Sequence, residues 1–174
     1  FADEEAIPYY LRCGFSALNE SMEYLNLKPL PNRSGLLQLD PKNQEDLDLI
    51  YKYAMNRTPI SNRFCVFGPM LLMFHALYTL RDKMYEIPEL EILVFFDREG
   101  DLINIYDILG KKIPSFDEVY PYLSAETDKR VQFHFHTDKL GIDEVQVKKN
   151  TGNNTFVKEL FPVTEPAFPF TSRA

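Results

Sequence analysis

Cysteine is scarce in this 174-residue chain. Cys13 and Cys65 are too few for a disulfide scaffold or a cysteine-based metal framework, and they read as reduced thiols of a cytoplasmic protein. No apolar run approaches the length needed to span a membrane, and the opening residues carry neither the basic nor the apolar region of a signal peptide. Positive charge is also short. Nineteen Lys and Arg face 26 Asp and Glu, a net charge of −7, which disfavours a non-specific nucleic-acid or anionic-membrane role. No Ser-His-Asp arrangement with a nucleophile elbow is visible, and no Cys-His pair is set by spacing. Apolar residues are plentiful: 45% of the chain is hydrophobic and 14% aromatic, enough for one good core or two small ones.

The order of elements predicts an α+β fold with a mixed, largely antiparallel sheet. "DEEAIPYYLRCGF" reads as a short helix with Asp3 as N-cap and Gly14 as C′ residue. "SMEYLNLKPL" reads as a strand, and the turn-rich "LPNRSGLLQLDPKN" as the best boundary, dividing the chain into residues 1–30 and 36–174. A helix is expected from an Asp40 N-cap with Pro41 at N1, then a short strand over "ISNRFCVFG" and an apolar helix over 69–84. "LEILVFFD" and "LINIYDIL" form a hairpin through "REGD". The continuous apolar run places residues 90–97 inside a sheet covered on both faces, with the 69–84 helix packed across it. Ser115 and Glu118 form a capping box, "RVQFHFH" alternates as a strand, and the chain closes on a loop, a last strand and an aromatic tail.

Two polar groupings invite a functional reading. His134, His136 and Asp138 could begin a metal site, but two same-face histidines leave a ligand unnamed, and outward positions on a half-exposed strand account for them. Asp97, Glu99, Asp101 and Asp107 crowd the hairpin and could hold a cation or an amine; a solvated turn explains them more simply.

The opening segment carries more. Its spacing, Asp3-x-x-Ala6-x-x-x-Tyr10-x-x-x-Gly14-Phe15, resembles the acyl-coenzyme A-binding helix of the GNAT N-acetyltransferases. The long segment "TPISNRFCVFGPMLLMFHALYTLRDKMYEIPELEILVFFDREGDLINIYDIL", the strand "RVQFHFHTDKLGID" and the tail "FPVTEPAFPFTSRA" resemble the C-terminal region of one GNAT branch, in which an α+β module follows the acetyltransferase lobe. The resemblance covers essentially the whole chain. It implies transfer of an acetyl group from acetyl-coenzyme A to a primary amine, with Asp3, Ala6 and Tyr10 at the cofactor and Tyr10 as the acid that protonates the leaving thiolate. It implies residues 1–30 as the end of the acetyltransferase lobe, 36–174 as the appended domain, and a possible homo-oligomer. One feature departs from the family. Its phosphate-binding run, Arg/Gln-x-x-Gly-x-Gly/Ala, is not found here: the seven glycines are scattered and no two lie two residues apart. The chain is therefore expected to be the C-terminal portion of a longer enzyme. The alternative is a non-catalytic α+β module that binds a ligand or partner.

Overall fold

The computed structural model describes residues 4–150 and 155–172, without the side chain of Asn150. Asp3, the expected N-cap and cofactor contact, lies outside the described residues. A 3-10 turn over Glu4–Ala6 leads into α1 (Ile7–Arg12), with Pro8 in its first turn, where a missing N–H costs nothing. Gly14 has φ of +80°, a conformation open to glycine, and turns the chain into β1 (Ser16–Ala17) and β2 (Glu20–Asn26).

β3 (Leu37–Gln38) precedes α2 (Gln44–Asn56), which begins three residues later than expected. Asp40 instead accepts from the Lys42 amide, a local turn, and the Asn43 side chain caps the helix by accepting from the Glu45 amide at 2.8 Å. The strand expected over residues 60–68 does not form. Ser61 Oγ accepts from the amides of Arg63 and Phe64, curling this stretch into a turn, and Cys65 packs half-buried against the core without a ladder partner.

α3 (Pro69–Leu77) is shorter than the expected 69–84 helix. The chain breaks at Tyr78 because residues 84–87 are claimed by the sheet: β4 (Met84–Ile87) pairs antiparallel with β5 (Ile92–Glu99). β5 and β6 (Leu102–Gly110) form the expected hairpin, closed by Gly100 at φ +63°. α4 (Phe116–Leu123) opens on the expected capping box: Glu118 Oε2 accepts from the Ser115 amide at 2.8 Å. β7 (Arg130–Phe133), β8 (Gln146–Asn150) and β9 (Phe156–Val157) follow.

The fold is α+β. Seven strands lie in the order β3-β4-β5-β6-β7-β2-β8, antiparallel except for the β6/β7 pair, and β1 and β9 form a separate small sheet. β2 comes from the N-terminal side of the expected 30/36 boundary, yet it is hydrogen-bonded between β7 and β8 in the same sheet.

β5 is an interior strand with both faces covered, as its apolar run requires. On one face Ile92, Val94, Phe96, Ile103, Ile105 and Val131 pack against α4. On the other, Leu93, Phe95 and Leu109 meet Leu72 and Ala76 of α3 and Ile50 and Ala54 of α2. At ~25 cal/mol per Å² of apolar surface these two layers supply most of the driving force for folding. The β5/β6 register shifts between Phe95, opposite Asp107, and Phe96, opposite Ile105. The extra residue, Tyr106, makes a bulge that presents both Tyr106 and Asp107 on the α2/α3 face.

Candidate functional site

Tyr10 stands half-buried in the last turn of α1. Its ring stacks on Phe156 of β9 at 5.6 Å between centroids and meets the edge of Phe15 at 5.4 Å. Tyr9, one residue and about 100° around the helix, is 65% exposed. Ala6 sits half-buried at the N-cap of α1, one turn before Tyr10. The structure thus brings Ala6 and Tyr10 to one short helix and fixes the Tyr10 ring on an aromatic seat. A phenol held this way has its rotation limited, as a proton donor requires.

The four hairpin carboxylates are not a cluster, and Asp97, Asp101 and Asp107 each have their own partners. Asp101 takes Arg130 at 3.2 Å and Lys129 at 3.7 Å. Asp97 takes Lys83 at 2.5 Å and also accepts from Asn104 and Tyr106, each at 3.0 Å. Burial works against the charge of Asp97, but these donors outweigh it and hold its carboxyl below the usual range. The same arrangement, led by burial, pushes the Tyr106 phenol up. Glu99 is an exposed residue at the hairpin tip.

Asp107 is fully buried. Arg57, just past the end of α2, grips it with two nitrogens at 2.7 and 2.8 Å, and the Thr171 hydroxyl also donates to it. Burial opposes the Arg57 charge, yet the adjacent carboxylate wins and raises the guanidinium further. The remaining Arg57 nitrogen, Nε, makes no hydrogen bond, and Arg57 lines a void of about 10 Å³ together with Phe67, Leu72 and Thr171. That is room for about one water.

The histidines part company where the strand ends. β7 stops at Phe133, and the chain beyond turns inward, so His136 is 1% exposed rather than on an outward face. Its Nδ1 lies 2.8 Å from Glu23 Oε1, and its Nε2 accepts from the Ala167 amide at 3.0 Å. Glu23 Oε2 accepts from both the amide and the hydroxyl of Thr137. Burial acts to raise the Glu23 carboxyl, but the bonds from His136 and Thr137 overcome it and hold the group low. His134 is half-buried and lies against the Tyr106 ring at 4.6 Å. No group of three or more His, Cys, Asp or Glu among the described residues could hold a metal ion.

Sequence reasoning missed Glu23, Arg57, Lys83 and Thr171, which the fold makes central. Glu23 lies in a stretch that reads as alternating, and only the burial of both faces reveals its cost. A separate cleft of about 530 Å³ opens between α2 and the strand ends, floored by Leu49 and Leu90 and edged by Tyr53, Glu86, Lys111 and Lys112. Its volume falls in the range of small-molecule sites. The Tyr53 hydroxyl donates to Glu86 at 2.9 Å. Among the described residues no helix is long and apolar enough to cross a membrane. No protein-family model matches this chain, and no curated protein matches it.

Proposed function

We propose that the chain is the C-terminal portion of a GNAT-like N-acyltransferase, moving an acetyl group from acetyl-coenzyme A to a primary amine. The observation that carries this reading is the aromatic seat of Tyr10 on a helix whose residues follow the family's cofactor-binding spacing. The amine attacks the thioester carbonyl, the carbon–sulfur bond breaks, the departing thiolate takes the Tyr10 proton, and the proton lost by the acylated nitrogen returns through solvent to restore the phenol. Ala6, small and one turn earlier, leaves room for the pantetheine arm, the part of the cofactor to which the resemblance also assigns Asp3. The pyrophosphate falls to sequence outside these residues, because the helix opening carries Glu4 and Glu5 and no cluster of cations.

The test is made in the full-length protein. Tyr10→Phe should lower kcat with little change in acetyl-coenzyme A affinity; unchanged turnover removes Tyr10 from the mechanism. The isolated 174-residue chain should bind acetyl-coenzyme A negligibly, and micromolar affinity in a calorimetric titration would show the cofactor site to be misplaced.

One observation favours a second reading, a non-catalytic ligand-binding module. β2 is integral to the seven-stranded sheet, so the fold does not treat residues 1–30 as foreign to it, and the 530 Å³ cleft supplies a separate place for a ligand. Sequence upstream of Phe1 discriminates: a glycine-rich phosphate loop there favours the enzyme, and its absence the module.

A further inference from the structure

The residues 165–172 form a strap across the end of the sheet, and its course follows from where β7 stops. β2 has β8 on one side from Glu20 to Tyr24, but on the other side β7 pairs with it only from Asn26 back to Glu23. Beside Ser21 the vacant place is taken by the strap: the Ser21 amide donates to Pro166 O at 3.1 Å and its hydroxyl to Glu165 O at 2.7 Å. The next residue, Ala167, is buried and donates its amide to His136. Phe170 then lies among His75, Tyr106 and His134, and Thr171 reaches Asp107.

We propose that His136 is a proton-operated latch on this strap. A backbone amide can only donate, so Nε2 must offer a lone pair, and the single ring proton must sit on Nδ1 and donate to Glu23. Only one neutral tautomer satisfies both partners. When Nε2 takes a proton, the Nδ1–H bond to Glu23 survives, but an N–H then faces the Ala167 N–H and that bond is lost. Closing the strap and protonating His136 therefore compete, and acid weakens the strap.

The charged surroundings allow the proton to arrive. On β2, Glu23 stays ionised through the range where imidazoles titrate, so it attracts the imidazolium. The buried Glu20 on the same strand accepts from the Thr155 hydroxyl. Arg63, from the turn before α3, opposes the proton at a distance: its guanidinium is 3.6 Å from Glu23 and half in solvent. On its own segment Asp138 is occupied by the Asn62 amide, and on the strap Glu165 is exposed. The amide of Ala167 is the one contact that imidazolium formation must break.

Amide hydrogen exchange on the full chain between pH 8 and pH 5, corrected for intrinsic rates, reads the latch directly. Protection of Ala167 and its strap neighbours should fall as the pH is lowered, by up to about tenfold per pH unit, the slope for one linked proton. Amides of β5 and β6 should keep theirs. In His136→Gln, which does not titrate, the strap's protection should be flat over this range. Unchanged strap protection in the wild type, or the same fall in His136→Gln, overturns the latch. A nitrogen chemical shift placing the His136 proton on Nε2 at pH 8 overturns it in the wild-type protein alone.

Discussion

The two halves of the sheet are held by different physics. From β4 to β6 the strands are sandwiched between α4 on one face and α2 with α3 on the other, by side chains that are nearly all aliphatic or aromatic. From β7 through β2 to β8 the buried positions include Glu20, Ser21 and Glu23, and His136 and Thr137 lie behind them. The first half is stable because apolar surface leaves water, a non-directional gain that tolerates imperfect geometry. The second is stable only where every buried charge finds its donors. Arg57, Asp107 and Thr171 join the two, since the strap crosses from the polar half to reach β6.

Breaking that junction should cost most. Arg57→Met leaves Asp107 buried without its counter-charge, and urea unfolding should show a loss of about 3–5 kcal/mol. In the apolar half, Leu93→Ala should cost ~3 kcal/mol through lost transfer energy and a cavity between sheet and helices. Glu23→Gln tests the polar half and should cost about 1–3 kcal/mol near neutral pH, because His136 and Thr137 lose a charged acceptor. Its pH dependence has a definite sign. Glu23 titrates below its ordinary value in the folded protein, so its contribution is complete above about pH 4.3 and is lost as pH falls through the lowered value. Wild type and Glu23→Gln should therefore converge in acid, and a constant gap from pH 7 to pH 3 would remove the carboxylate as the cause. Smallest is Ser115→Ala, about 1 kcal/mol in thermal unfolding, since it removes one member of an exposed capping box.

The same division decides what could be read from the chain beforehand. The β5/β6 hairpin was legible because "ILVFF" is apolar on both faces, "INIYDIL" is rich in β-forming residues, and a Gly-containing turn joins them. α4 was legible because Ser115 and Glu118 sit three apart before an apolar stripe. Two competent caps, Asp40 and Asn43, precede α2, and the choice is made by a local turn in which the Asp40 carboxylate accepts from the Lys42 amide and the Asp40 amide donates to Asp46. Residues 78–84 look like the end of an apolar helix until β5 is present to pair with Met84–Ile87. In the candidate site, Ala6 and Tyr10 were legible as residues of one helix, whereas the Phe156 seat of Tyr10 comes from nearly 150 residues away. The junction was not legible at all. An isolated Arg, Asp or Thr carries no local sign that a strap and a bulge will bury it.

The insertion of β2 between β7 and β8 also orders events in time. Its partners lie more than 100 residues further along the chain, so its ladders close very long loops. Loop-closure entropy and high contact order both slow such steps. The β4–β6 meander and its helices can gather first from neighbouring residues, and β2 can enter only when residues 130–150 have been synthesised. During translation, residues 20–26 leave the ribosome long before their partners, with both ladder edges open to whatever else is near. Their strand ends in Asn26, followed within five residues by Lys28, Pro29 and Pro31, residues that discourage edge-to-edge pairing while the chain waits.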